Sequence, residues 1–250
     1  MASNKKRLDT SLVERGLVPD VNTARSLIMQ GLVHNENSQL LKAGMPVKES
    51  DQLFVKSRKD HNYVSRGALK LKKAIEEFDI DVTNRICLDI GCSTGGFTEI
   101  LLENGASLVY AVDVAYGEIH PKFRNNEKVV LLERLNARHL TRDHIKTAPD
   151  IIVCDASFIT LKSVLPASLN LAAPNFTLIA LIKPQFEAQK QDVGEKGIIS
   201  DPSIHKKVCA EVKSWLESEM FDVENIIESP ILGMKGNKEF LICARKYARN

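Results

Sequence analysis

The stretch Ile86-Cys87-Leu88-Asp89-Ile90-Gly91-Cys92-Ser93-Thr94-Gly95-Gly96-Phe97-Thr98 constrains this chain more than any other. A short apolar run carries an acid and ends in a glycine. A Gly-rich turn then opens onto Phe97, Ile100 and Leu101 at helical spacing. That order predicts a buried strand, a tight loop and a helix N-terminus, the opening unit of a nucleotide-type α/β fold. The glycines stand at 91, 95 and 96, so the dinucleotide fingerprint G-x-G-x-x-G is absent. A pyrophosphate needs bare backbone against it. A loop with side chains among its glycines, preceded by an acid on the strand, better suits S-adenosylmethionine (SAM). That cofactor has no phosphate and carries a cationic sulfonium and an amino-acid tail.

Beyond this unit, strand-like runs over 108–114, 129–132, 151–155 and 177–182 alternate with helical patterns. Such alternation predicts a parallel sheet with helices on both faces. Asp201-Pro202 opens a long amphipathic helix marked by Val208, Val212, Trp215 and Leu216. Two last runs, 223–227 and 240–244, are joined by a Gly-containing loop and predict an antiparallel pair at the sheet edge. The loop from Pro184 to Ser200 is long for an α/β connection, a length that goes with function or disorder.

In sheets of this kind ligands sit outside the carboxyl ends of the strands. Asp113 closes the second run, where its carboxylate either accepts ribose hydroxyls or caps a turn. After the third comes Leu135-Asn136-Ala137-Arg138, in which Asn136, with Ala137 beside it, is a candidate reader of an adenine edge. Asp155 closes the fourth run and Lys183 the fifth. A lysine ending an apolar strand either snorkels to the surface or leaves its ammonium in the cleft. In the cleft, desolvation and neighbouring cations disfavour the charge, and a partly neutral lysine is a general base. Asp155 can hold Lys183 in place or meet a sulfonium. Two more charges complete the set. Lys70 lies beside the apolar stripe Ala68, Leu71, Ile75 and Phe78 of a helix starting near Arg66 with Ser65 as cap, and Glu239 opens the last strand.

Charge is unevenly spread. Residues 1–73 hold 14 Lys/Arg against 7 Asp/Glu, within a chain whose net charge is only +2. That surplus fits an anionic partner, and equally a solvated lysine surface. Leu8 and Leu12 mark a short helix ended by Gly16, and Ala24, Leu27 and Ile28 a second ended by Gly31. Arg7, Arg15, Arg25, Lys42 and Lys48 fall outside the apolar positions. Basic residues on a small rigid module contact phosphates and supply affinity with little sequence choice. The Arg7-Leu8-Asp9 start, the Ala24–Ile28 helix and the Gly31-Leu32-Val33 exit resemble the S4 RNA-binding domain.

The five cysteines are scattered, and Cys87, Cys154 and Cys243 sit in apolar runs as small hydrophobes. With no C-x-x-C or His/Cys cluster, no metal site is expected. A reducing, cytoplasmic setting fits, and no apolar leader is seen. The apolar run 176–182 is far short of a membrane span, so no membrane partner is expected either.

At Lys70, Asp155, Lys183 and Glu239 the chain resembles ribose 2′-O-methyltransferases of the FtsJ type, whose Lys-Asp-Lys-Glu tetrad these residues match. Tyr63–Leu71, Gly91–Thr98, Lys183-Pro184-Gln185-Phe186-Glu187, Asp201-Pro202 and Ser229-Pro230 are similar to the haemolysin A (TlyA) branch of that family. Glu195-Lys196 interrupts the branch's usual Gly-rich run. The resemblance implies an α/β class I SAM-methyltransferase fold, a seven-stranded mostly parallel sheet, with a small N-terminal α+β S4 domain. It divides the chain into an S4-like domain over 1–57, a linker over 58–64 and an FtsJ-like domain over 65–250. SAM would lie across Gly91, Cys92, Ser93, Thr94, Gly95, Gly96, Phe97 and Thr98, with Asp113, Asn136, Ala137 and Asp155 completing its site. Arg66 joins Arg7, Arg15, Arg25 and Lys42 as RNA-binding candidates. The implied reaction is methyl transfer to a 2′-hydroxyl, of cytidine in the branch, in ribosomal RNA of the small or large subunit. Two other readings stay open: an RNA-binding factor with a retired methyltransferase domain, and a pore-forming haemolysin.

Overall fold

The computed structural model describes residues 5–29, 31–35, 38, 40, 42–55, 62–194 and 197–248. The linker residues 58–61 and the pair Glu195-Lys196 lie outside that set. The chain divides into two compact units, one ending at Asn62 and the other beginning at Tyr63.

The first unit carries β1 (Lys5–Arg7), α1 (Leu8–Glu14), α2 (Val21–Met29), β2 (Val33–His34), β3 (Pro46–Lys48) and β4 (Phe54–Val55). Strands β1 and β3 pair antiparallel, as do β2 and β4. Its core holds Leu8, Leu12, Ala24 and Ile28 from the helices read in the sequence, joined by Val18, Val33, Leu40, Val47 and Leu53, with Leu27 partly buried against them. The strands β1 and β3 carry no apolar alternation and are not legible in advance.

The second unit runs α3 (Ala68–Glu77), β5 (Ile86–Ile90), α4 (Gly96–Glu103), β6 (Leu108–Val112), α5 (Pro121–Arg124), β7 (Val129–Leu132), β8 (Ile151–Cys154), α6 (Leu161–Val164), α7 (Pro166–Leu169), β9 (Phe176–Ile182), α8 (Pro184–Glu187), α9 (Pro202–Ser218), β10 (Asp222–Glu228) and β11 (Phe240–Lys246). Its seven strands lie in the order β10-β11-β9-β8-β5-β6-β7. The five from β5 to β9 are parallel, and β11 runs antiparallel to both β9 and β10.

Strand residues point alternately to opposite faces, and β9 shows what that does here. Leu178, Ala180 and Ile182 join the core under α9 with Val208, Val212 and Leu216. Their neighbours Ile179 and Leu181 join the opposite core with Leu71 and Ala74 of α3 and Phe97 and Leu101 of α4. A strand buried on both faces has to be apolar throughout, which is why β9 reads as an unbroken hydrophobic run. Burial also pushes the thiols of Cys87, Cys154 and Cys243 up to about 12, so these cysteines act as packing groups.

Element ends differ from the sequence reading in ways that matter. Strands β6 and β8 stop at Val112 and Cys154, so Asp113 and Asp155 stand just past the ladder with their carboxylates released from it. Helix α3 begins at Ala68 with Gly67 in the capping position, and no side chain caps it. Ser65 gives only its carbonyl, to the Ala68 N–H at 3.2 Å. Its hydroxyl instead lies where a Cβ on Gly96 would sit, at 2.3 Å. Asp201 caps α9 as expected, accepting from the Ser203 N–H at 2.8 Å. The connection after Lys183 is not structureless: it holds α8 and a 3-10 turn over Lys190–Asp192.

Gly95 has φ +94°, and a Cβ there would stand 2.6 Å from the Phe123 ring. A side chain meets both a left-handed backbone and a filled space. Gly95→Ala is expected to destabilise the protein by about 2 kcal/mol or more, read as a drop in the urea midpoint with an unchanged slope.

Candidate active site

Because the five parallel strands share a direction, their carboxyl ends open on one edge of the sheet. Gly91, Asp113, Asp155 and Lys183 all emerge there. Glu239 reaches the same edge from the opposite direction, since the antiparallel register sets Phe240 beside Ile182. The residue before one is thereby brought next to the residue after the other. Lys70, from the first turn of α3, is the fourth member.

The four sequence-predicted charges meet in one cluster. Lys183 Nζ lies 2.6 Å from Asp155 Oδ1, and Lys70 Nζ lies 3.3 Å from Asp155 Oδ2 and 2.8 Å from Glu239 Oε2. Asp155 therefore bridges two ammonium groups, one per carboxylate oxygen. Lys70, Lys183 and Glu239 are buried, at 7%, 6% and 2% exposure. Two positive and two negative charges in so dry a place balance each other, as buried ions must. The backbone of Gly233 presses on the other side of Glu239, where a Cβ would sit 1.9 Å from Oε1.

Beside the cluster lies a cavity of about 510 Å³, lined among others by Gly91, Ser93, Asp113, Asn136, Ala137 and Asp155. Asp113 Oδ2 accepts from the Ser93 N–H at 2.8 Å and Oδ1 from the Ala115 N–H at 2.9 Å. These bonds fix the carboxylate at the cavity wall. Asn136 Oδ1 accepts from the Arg138 N–H at 3.1 Å, so its amide oxygen caps a turn. Gly91 has φ +80°, and a Cβ there would stand 3.0 Å from the Asp155 carbonyl oxygen. Only a glycine lets these two strand ends come so close.

The rest of the predicted cofactor stretch shapes the loop rather than lining the cavity. Cys92 packs against Ala111, Ile119 and Phe123, and Gly95 leaves room for that same phenylalanine. The Thr94 carbonyl accepts from the His120 N–H at 3.1 Å. Gly96 gives way to Ser65, and Phe97 enters the α3–α4 core. Thr98 Oγ1 donates to Asp89 Oδ2 at 2.7 Å.

Asp89 is the acid that the sequence places on the strand before the Gly-rich loop. It is fully buried, and its Oδ1 has no hydrogen-bond partner among the described residues. Burial, opposed by Thr98 and reinforced by Asp155 and Asp113, pushes its carboxyl up to about 7. Asp113 and Asp155 line the cavity with Asp89 buried behind them, and the described residues include no metal-holding group of His, Cys, Asp and Glu. Such a site favours a cationic ligand, and the sulfonium and ammonium of SAM fit that demand.

Phe158 was missed in the sequence. It is 78% exposed at the cavity wall, has φ +63°, and its ring centroid lies 4.9 Å from that of Phe186. A large apolar side chain held outward on a strained backbone is uncommon outside functional sites.

Of the basic candidates, Arg7 forks onto the buried Asp9 through Nε at 3.0 Å and Nη2 at 2.7 Å, and Arg25 Nε joins it at 3.0 Å. The Arg7 guanidinium, helped by Arg25, holds the Asp9 carboxyl far below the usual range. Both arginines stay more than half exposed. Arg15 donates to the carbonyls of Lys48 and Asp51 and so also ties down the turn after β3. Lys42 and Arg66 are exposed.

A seven-stranded sheet of this order, with an acid-lined cavity at its carboxyl edge, is that of a class I SAM-dependent methyltransferase. The model of FtsJ-like methyltransferases matches residues 63–246. The chain is 39% identical to the 16S/23S rRNA (cytidine-2′-O)-methyltransferase TlyA of Mycobacterium tuberculosis, over 97% of this chain and 91% of that protein. It is 44% identical to YqxC of Bacillus subtilis, provisionally named an rRNA methyltransferase, over 97% of this chain and 86% of the other. A solved structure from Streptococcus thermophilus, provisionally named a hemolysin, is 38% identical, with a TM-score of 0.75 over 98% of this chain and 90% of that one. The chain belongs to the TlyA branch of the FtsJ-like methyltransferases.

The Asp89 shift has a consequence for stability. A carboxyl held near 7 when folded and near 3.8 when unfolded keeps its proton in the native state across that interval. Native stability therefore falls as pH rises from about 4 to about 7 and is level above it. Asp89→Asn is expected to flatten that fall, of order 2–4 kcal/mol, in urea denaturation run at pH 4.5 and 7.5.

Proposed function

We propose that this protein transfers the methyl group of SAM to the ribose 2′-hydroxyl of cytidine in ribosomal RNA of the small subunit, the large subunit or both, acting in the cytoplasm. The observation that carries this reading is the closed four-charge cluster beside an acid-lined cavity. The names carried by the relatives point the same way. No helix among the described residues is long and apolar enough to cross a membrane, and no observation here favours a pore.

When bound, SAM supplies an activated methyl group on a cationic sulfur. What remains for the protein is placement and proton removal. Asp113 offers its carboxylate to the ribose of the cofactor, and Asp155 supplies negative field to its cationic end. Lys183 takes the 2′-hydroxyl proton while the oxygen attacks in line. Asp155 anchors both lysines, and Glu239 holds Lys70 so that one carboxylate is not shared without support. Lys70 balances Asp155 and Glu239 from the buried side of the cluster.

The target ribose has to leave its helix for this contact. Phe158, outward-facing at the cavity wall, gives the extruded base a face to stack on. The N-terminal unit, read as an S4-like domain over 1–57 joined by a linker over 58–64, brings Arg7, Arg15, Arg25 and Lys42 to RNA phosphates, with Arg66 on the other side of the linker. Arg7 and Arg25 arrive pre-oriented by Asp9.

Labelled methyl transfer to small subunits, large subunits and naked rRNA tests the function, with alkali-resistant product linkages marking the 2′-position. Lys183→Ala is expected to abolish incorporation and to leave SAM affinity within about threefold of wild type. Incorporation that alkali releases would overturn the ribose assignment. Phe158→Ala is expected to lower turnover by about 10- to 100-fold, the worth of one stacked base, with SAM affinity unchanged by calorimetry.

A further inference from the structure

Lys183, the proposed base, does not line the cavity, whereas Ser157 does. The ammonium of Lys183 is ringed by three oxygens: Asp155 Oδ1 at 2.6 Å, the Asp155 carbonyl at 3.2 Å and Ser157 Oγ at 2.7 Å. The ammonium donates to the Asp155 carbonyl and to Ser157 Oγ, and it pairs with Asp155 Oδ1 as an ion contact without hydrogen-bond geometry. Ser157 itself is exposed.

We propose that Ser157 is a further catalytic residue, a hydroxyl that carries the 2′-proton to Lys183; this rests on the reading of Lys183 as base. The reasoning is a donor and acceptor count. When Lys183 is a neutral amine it keeps two N–H bonds and one lone pair. An ionised carboxylate and a carbonyl accept but cannot donate, so neither Asp155 oxygen can meet the lone pair. The lone pair is left facing Ser157, the one neighbour of the three with a proton to give. The serine hydroxyl accepts from the ammonium in one state and donates to the amine in the other.

In the transfer step the 2′-oxygen uses the electron pair of its O–H bond to bond the methyl carbon. The carbon–sulfur pair stays on sulfur, which leaves as a neutral thioether. The released proton passes to Ser157 Oγ as the serine gives its own proton to Lys183 Nζ. Serine ends as it began, and Lys183 ends as an ammonium that must lose one proton to solvent before the next turnover. An exposed hydroxyl is also the route for that loss.

The test is steady-state transfer to the rRNA substrate by Ser157→Ala, Ser157→Thr and Lys183→Ala, with SAM affinity measured for each. Ser157→Ala should lose about 100-fold in kcat, the usual weight of one proton-transfer group, with KM for RNA and SAM affinity within about twofold. Ser157→Thr, which keeps a hydroxyl, should return to within about tenfold of wild type. Wild-type turnover in Ser157→Ala with a silent Lys183→Ala overturns the relay alone. Normal turnover in Lys183→Ala overturns the base reading beneath it. Equal loss in the alanine and threonine variants, or a raised KM at full kcat, also overturns the relay.

Discussion

The double engagement of one carboxylate governs this molecule. Asp155 faces Lys183 with one oxygen and Lys70 with the other, and it does so just beyond the end of β8, near the middle of the sheet. Moving two ammonium groups and two carboxylates out of water costs far more than any single pairing returns. The cluster persists because each charge has a partner at once. That demand fixes more than the chemistry. It sets where β8 must end, which turn of α3 must face the sheet, and how β11 must register on β9 so that Glu239 arrives beside Lys183.

Close approach of backbone is the second condition, and it explains why the loop after β5 is spaced as it is. Gly91 lets the β5 and β8 ends touch, Gly95 admits the Phe123 ring, and Gly96 admits Ser65. Each glycine answers a different neighbour. The side chains between them are then free to work: the Ser93 N–H holds Asp113, and Thr98 holds Asp89. A pyrophosphate-binding loop spends its glycines on the ligand; this one spends them on the protein around the cavity.

Much of this was legible in the sequence because burial on both faces leaves an unmistakable mark. The apolar runs of β5, β8 and β9 and the acids and lysine closing them located the strand ends to within a residue or two, and the resemblance to FtsJ-type enzymes joined Lys70 and Glu239 to Asp155 and Lys183. What stayed hidden was set by three-dimensional company. Asp89 reads as an acid on the strand before the loop, but its burial, its bond from Thr98 and its raised carboxyl depend on the folded surroundings. Phe158 reads as core by type, and only its positive φ turns it outward. Ser157 carries no pattern at all, since its role depends on where the Lys183 ammonium ends. The strands β1 and β3 are short and exposed on most positions, so period-2 alternation had too few residues to appear.

The same balance that permits the cluster also makes it hard to dissect by deletion. Removing one partner of a buried pair leaves the other charge unanswered, at a cost of several kcal/mol, so a lost activity could be a lost fold. The members differ in this respect. Glu239 is the most buried of the four and lies under the Gly233 backbone, and its loss strands Lys70 with only the longer contact to Asp155. Lys183 has a hydroxyl and a carbonyl as well as a carboxylate around it. Without that lysine, Asp155 still has Lys70. The residue best placed to take a proton is thus also the one whose removal leaves the remaining charges most nearly answered, which is why chemistry and stability separate most cleanly there.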